Sequence, residues 1–213
     1  METNTDSVQC AGGILGQHRH VCAFFNSFEE EHKVLQSFYR EGFERGDKAF
    51  HIVDPDRWED HFQRLAEAGI DVGKAVGTGQ LEVRRWEDAY LRGNRFDQEA
   101  MLALIEEVLQ TAAASGYSLT RLVGGTAWAM LDKPGVEDLV EYETRLNYVL
   151  AKYNDPVICT YDLSKFNASV VMDIMRTHPL VIIGGILQEN PFFVPPDQFL
   201  LELQERRRST RTH

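Results

Sequence analysis

Apolar and polar residues fall in alternating blocks along this chain, and the blocks read as strands exchanging with amphipathic helices. His20–Phe25 is a nearly continuous apolar run and predicts a first strand. Ser27 then caps a helix, with Glu30 three residues on as the other half of a capping box. Val34, Leu35, Phe38, Tyr39 and Phe43 recur at helical spacing until Gly46-Asp47 stops them. Residues 49–53 predict a second strand that ends in Asp54-Pro55, and a helix from about Arg57 to near Gly69 carries Trp58, Phe62 and Leu65. Residues 81–86 read as strand three. Asp97 opens a helix whose stripe is Met101, Leu102, Ile105, Val108 and Leu109. Strand four lies within 119–130 and contains Gly124-Gly125. Pro134 stands where a helix start tolerates it, ahead of the face Leu139, Tyr142, Leu146, Val149 and Tyr153. Strand five is 157–161, a helix holds 170–175, strand six is 180–186, and a proline-bearing loop at 190–196 leads to a last helix, 197–207.

Strands two, five and six are apolar on both faces, as strands covered by helices on both sides are. The fold class expected is therefore α/β: a doubly wound, mainly parallel sheet with helices on both faces. With 213 residues and no repeat or linker, the expected organisation is a flexible segment 1–17, a single domain 18–205 and a basic tail 206–213.

Composition narrows the function classes. The formal net charge of -11 argues against direct nucleic-acid binding; the run Arg206-Arg207-Arg208 with Arg211 is the local exception and reads as a solvated tail. Three cysteines without a CxxC pair imply no disulfide framework. No apolar run reaches the ~18–20 residues of a membrane helix, and the N-terminus has no signal pattern. A cytoplasmic protein with no membrane association is expected.

In a doubly wound sheet, ligands bind at the carboxyl ends of the strands. That rule selects Phe25-Asn26-Ser27, Asp54, Arg85-Trp86, Gly125-Thr126 with Trp128, Tyr161-Asp162 and Gly184-Gly185. Within strand one, His20 and Cys22 point the same way. They read either as metal or haem ligands, with His18 beside them and Cys159, His51 and His178 as distant further donors, or as a hydrogen-bonded histidine beside a buried thiol. Asp54 and Asp162 read as ligand-facing carboxylates or as turn formers. Phe24, Phe25, Trp128 and Tyr161 could line an apolar pocket or fill core, and His178 could meet a ligand or cap a helix C-terminus. The chain has no GxxxxGK[ST], GxGxxG, GxSxG or HExxH.

Several segments in order resemble the MEDS domain, the methanogen/methylotroph sensory domain of prokaryotic signalling proteins. They are His20-Val21-Cys22-Ala23-Phe24-Phe25, the stretch from Phe38 to Lys48, Ile158-Cys159-Thr160-Tyr161-Asp162, Arg176-Thr177-His178-Pro179, and Gly184-Gly185 with Glu189 to Pro196. The resemblance implies a RecA-like fold with no functional Walker A loop. It also implies a non-enzymatic sensor of small molecules, with simple hydrocarbon derivatives proposed, that signals through a kinase, sigma-factor regulator or transcription regulator. It makes His20 and Cys22 the signature pair and a suspected ligand or metal contact. Where many relatives carry an acidic residue after the glycine of strand four, this chain has Gly125. The reading that follows is a sensor whose ligand enters a former nucleotide crevice near His20, Cys22, Phe24, Asp54, Trp128, Tyr161, Asp162 and His178. The alternatives are a metal- or haem-binding regulator using His20 and Cys22, a divergent nucleotide hydrolase, and a pure interaction domain. No cofactor is required by the leading reading, and a homodimer is left open.

Overall fold

The structure, a computed structural model, describes residues 7–211. Its strands in chain order are β1 (Val8–Cys10), β2 (Gly13–Leu15), β3 (His20–Phe25), β4 (Lys48–Val53), β5 (Leu81–Arg85), β6 (Thr120–Gly125), β7 (Val157–Asp162), β8 (Leu180–Ile183) and β9 (Ile186–Glu189). The helices are α1 (Phe28–Arg45), α2 (Trp58–Glu67), α3 (Val72–Gly77), α4 (Gln98–Ala114), α5 (Leu139–Leu150), α6 (Ala168–Thr177) and α7 (Pro196–Arg211). Seven strands form one sheet in the order β5-β4-β6-β7-β3-β8-β9. All its pairings are parallel except β8 with β9.

Alternation along the strands divides the core into two. Cys22, Phe24, Phe50, Ile52, Cys159 and Tyr161 face α4, α5 and α6. Val21, Ala23, Phe25, Ala49, Val123 and Ile158 face α1, α2, α3 and the β1–β2 hairpin. Helix α1 starts as its sequence dictates: the Ser27 hydroxyl accepts from the Glu30 amide at 3.1 Å. The reciprocal arm is displaced by one residue, because Glu30 Oε2 accepts from the Asn26 amide at 2.8 Å. The helix ends at Gly46, whose φ of 79° is the left-handed conformation that closes a helix.

Four expectations need correction. Strand six is a hairpin, since Gly184 and Gly185 take φ of 58° and 76° and make the two-residue turn that joins β8 to β9. The pair is thus a turn and no wall of the crevice. Helix α5 begins at Leu139, not beside Pro134, because Gly135 turns the chain left-handed against the Phe96 carbonyl first. Within the segment expected to be flexible, residues 8–15 fold as a hairpin with Val8, Cys10 and Leu15 buried. Residues 1–6 lie outside the described ones. The basic tail continues α7. Arg206 pairs with Asp173 and Glu202, and Arg207 with Asp138 and Glu141, so these two arginines are neutralised by neighbouring acids. Residues 212 and 213 lie outside the described ones.

Candidate functional site

The carboxyl ends of β3, β4, β6 and β7 open into a cavity of about 310 Å³. Each strand end contributes to its wall: Phe25 and Asn26 from β3, Asp54 after β4, Gly125 and Thr126 from β6, and Thr160 and Asp162 from β7. Glu31 and Tyr39 reach it from α1, His61 from α2, and Trp86 from the turn after β5. Two hydrogen bonds from Thr126, its amide at 3.1 Å and its hydroxyl at 2.7 Å, run to the Thr160 carbonyl and fix the two central strand ends.

The polar groups in this wall are those of a site for something other than phosphate. Between Phe25 and α1 there are only Asn26 and Ser27, too few residues to wrap a phosphate with backbone amides. Glu31, Asp54 and Asp162 add three carboxylates. Burial, reinforced by Asp162, pushes the Glu31 carboxyl up to about 7, against the Thr160 hydroxyl that donates to it and the nearby Arg57. At neutral pH it is therefore partly protonated and able to donate. The Trp86 indole N–H is buried without a hydrogen-bond partner. It lies 3.9 Å from where a Cβ on Gly125 would stand, within van der Waals reach of a side chain at that position. Behind the wall, His61 Nε2 and His51 Nδ1 share a hydrogen bond of 2.9 Å. Burial pushes His51 down to about 3 and His61 well below its usual range, so both stay neutral.

Of the strand-end residues selected, Phe25, Asn26, Ser27, Asp54, Trp86, Gly125, Thr126 and Asp162 line this cavity; of the eight named for the ligand, only Asp54 and Asp162 do. Their turn-forming role holds as well: Asp54 Oδ1 accepts from the Asp56 amide and Asp162 Oδ1 from the Ser164 amide. The sheet separates the others from it. Phe24, Trp128 and Tyr161 are packed in the core on the far face, Trp128 stacked on Tyr90 at 4.7 Å between ring centres. His20 and Cys22 do share a face, as their spacing requires, but that face is turned away from the crevice. The expectation of one crevice holding all of them is corrected accordingly. Sequence reasoning missed Glu31, Tyr39 and His61; the only signal was helical spacing from the Ser27 cap, which places 31 one turn into α1.

On the far face His20 meets two of the three distant donors expected for it, Cys159 and His178, together with Glu143, which the sequence did not single out. Its Nε2 is 3.4 Å from Glu143 Oε2 of α5 and 3.7 Å from Cys159 Sγ of β7. His178, just before β8, brings its Nε2 to 3.5 Å from the same Glu143 oxygen. The four donor atoms all lie within 4.8 Å of one another, and all four residues are buried. Burial, then His178, lowers His20 to about 4. Cys22 stands outside this group, its thiol donating to the Leu180 carbonyl at 3.6 Å. His51, the other distant candidate, belongs to the pair behind the crevice.

Comparisons with known proteins agree with this architecture. The KaiC-like protein of Pyrococcus horikoshii superposes with a TM-score of 0.54 at 15% identity, covering 77% of this chain and 70% of that one. The flagellar accessory protein FlaH of Methanocaldococcus jannaschii gives 0.51 at 12% identity over 85% of this chain and 84% of its own. Likeness at that level shows the fold, which is RecA-like. The transcriptional repressor DcmR of Methylorubrum extorquens is 29% identical over 177 residues. The match takes in 82% of this chain but spans only 63% of the repressor's length. The family described as "MEthanogen/methylotroph, DcmR Sensory domain" matches residues 19–179, and the chain belongs to this MEDS family of sensory domains.

Proposed function

We propose that this chain is a non-enzymatic sensor in transcription regulation, and that its input is a small, uncharged molecule bound in the crevice at the strand ends. The observation that carries this reading is the composition of the crevice. In the place of a nucleotide-binding loop it has a two-residue connection, three carboxylates and no lysine between β3 and α1. A triphosphate would meet repulsion there, because the two cations of the wall are already paired: Arg57 with Asp60 at 3.3 Å and Lys165 with Asp54 at 4.0 Å.

The aromatic lining supports a mainly apolar ligand. Phe25, Phe28, Tyr39 and Trp86 supply ring surface, and a cavity of about 310 Å³ has room for a few carbon atoms with one or two polar substituents. Glu31 and the Trp86 indole N–H would orient such substituents. Simple hydrocarbon derivatives fit this description. Binding would favour one conformation over another by its differential affinity and so alter contact with a partner protein, which the relation to a transcriptional repressor suggests is part of a DNA-binding regulator.

Thermal shift and tryptophan fluorescence with two sets of probes test the proposal. Short-chain alcohols and haloalkanes should include compounds that raise Tm and change the emission of wild-type protein but not of Trp86→Phe. Magnesium ATP should do neither. Hydrolysis of ATP by the purified protein, lost on Asp54→Ala, would overturn the reading.

A further inference from the structure

We propose that His20, Glu143, Cys159 and His178 form a closed, four-coordinate site for a zinc-class divalent metal ion, on the face of the sheet opposite the crevice. A tetrahedral ion with bonds of about 2.0–2.1 Å to nitrogen and oxygen and about 2.3 Å to sulfur needs donor separations of roughly 3.3–3.6 Å. The separations from Glu143 Oε2 to His20 Nε2, His178 Nε2 and Cys159 Sγ are 3.4, 3.5 and 3.4 Å, and that from Cys159 Sγ to His20 Nε2 is 3.7 Å. Four of the six donor separations are therefore near those of a tetrahedral ion, and the two that involve His178 with His20 and Cys159 lie within 4.8 Å.

The groups behind the donors point the same way. Asn147 donates through Nδ2 to the carbonyls of Glu143, Thr144 and Thr177, which fixes its amide and leaves Oδ1 as the atom 3.1 Å from His20 Nδ1. That nitrogen must carry the proton, so His20 Nε2 presents a lone pair to the cluster. His178 Nδ1 lies 2.6 Å from the Thr177 hydroxyl and 3.0 Å from the Ile174 carbonyl; because that hydroxyl donates its proton to the same carbonyl at 2.8 Å, Nδ1 is the protonated nitrogen, and Nε2 is buried with no hydrogen-bond partner among the described residues. The second carboxylate oxygen of Glu143 accepts from the Tyr161 hydroxyl at 2.8 Å. Imidazoles held by carbonyl oxygens on their far nitrogens, and a carboxylate held by a hydroxyl, are the outer-sphere arrangement of metal ligands.

Charge supplies an independent argument. Without an ion, two buried imidazole lone pairs confront a buried carboxylate, and the Cys159 S–H is the one donor among the four to satisfy it. Protonating both imidazoles would place two cations with ring centres 4.0 Å apart in a dry core. A divalent ion resolves both conflicts. The Cys159 thiol gives its proton to solvent as the metal–sulfur bond forms, and the +2 ion with a thiolate and a carboxylate is neutral. All four positions are taken by protein, so the ion has no open site and would tie α5 and the start of β8 to the central strands.

The site is tested on protein made without a polyhistidine tag, by elemental analysis and by refolding from denaturant and chelator with cobalt(II). The expected result is one equivalent of zinc in protein purified from zinc-supplemented cells. The cobalt form should show intense tetrahedral ligand-field bands with a thiolate charge-transfer band. Cys159→Ser should lose that charge-transfer band, and Cys22→Ser should keep it. If Cys159→Ser fails to fold by circular dichroism, the wild-type cobalt spectrum decides. Protein that refolds fully yet retains neither ion, or a spectrum whose sulfur band disappears with Cys22→Ser instead, would overturn the proposal.

Discussion

Cys22 and Cys159 are register partners on the adjacent parallel strands β3 and β7, yet their sulfurs face different neighbours. Cys159 lies 3.4 Å from Glu143 Oε2, whereas Cys22 donates to the Leu180 carbonyl at 3.6 Å. Burial, then the Glu143 carboxylate, raises both thiols well above their usual range, and burial pushes Cys10 up to about 12. A thiol reacts as its thiolate and only where a reagent can reach it. All three cysteines should therefore resist iodoacetamide in the native protein at pH 8 and become fully alkylated in denaturant, as counted by intact mass. Rapid native labelling of Cys22 would show that β3 opens readily and that burial does not protect this thiol.

Glu31 should make stability fall with rising pH in the neutral range. Its carboxyl is raised from 4.5 to about 7 in the folded state, burial being the main cause. The folded protein thus holds this proton where the unfolded chain has released it, and stability declines as pH rises from about 4.5 through about 7. For a half-buried group beside a solvent-filled cavity the effect is about 1–2 kcal/mol. Glu31→Gln removes the ionisation. Relative to wild type it should gain that amount at pH 8 compared with pH 5, measured by urea midpoints at the two pH values. Equal differences at both would mean that Glu31 ionises normally.

Gly42 is there for Arg121. The guanidinium of Arg121 is buried, 2.8 Å from Asp47 and 2.9 Å from Glu41, and donates to the Phe38 carbonyl at 2.7 Å. A Cβ on Gly42 would stand 2.6 Å from Arg121 Cδ and 2.7 Å from its Nε. An ion pair held at both ends cannot step aside, so Gly42→Ala should lose about 1–3 kcal/mol although alanine is the better helix former. Arg121→Met should cost about 3–5 kcal/mol by leaving the buried Asp47 carboxylate with only the more distant Arg45, at 3.8 Å, as its ion-pair partner. Adding Asp47→Leu to it should recover part of that loss. Denaturation midpoints of the four proteins check the ordering.

These contacts show what could be read from the chain beforehand. The stretch from Phe38 to Lys48 stood out as a motif, and local chemistry accounted for Gly46 as a helix stop, but nothing in it announced a partner 74 residues away in Arg121. The sheet was legible because β4, β7 and β8 are apolar on both faces, and the strand-end rule located the crevice through Asp54, Thr126 and Asp162. Alternation also put His20 and Cys22 on one face. What period-two reasoning cannot give is which face holds the crevice, because that depends on which helix covers each side. Glu143 went unnoticed for a related reason: it sits on the buried side of an otherwise ordinary amphipathic helix, and a glutamate there looks like a surface residue until α5 is docked.

Asn190 should be the most sensitive position in the loop before α7. Its side-chain amide donates to the carbonyls of Met175 at 2.5 Å and His178 at 2.7 Å, and its Oδ1 accepts from the Phe192 amide at 3.1 Å. It thereby joins the Thr177 and His178 side chains, which serve the Ile174 carbonyl, in satisfying the end of α6, and it anchors the chain that returns from β9. Asn190→Ala leaves two carbonyls and an amide without partners in a mostly buried place, at a cost of about 2–4 kcal/mol. Asn190→Asp keeps the acceptor and sets a carboxylate against two carbonyl oxygens, so it should be at least as damaging, although it is nearly isosteric. Chemical denaturation measures both losses. Hydrogen exchange should then show new opening confined to the C-terminal turn of α6 and residues 190–195, and an unchanged exchange pattern there would mean that the loop is held by Pro195 and Phe199 packing instead.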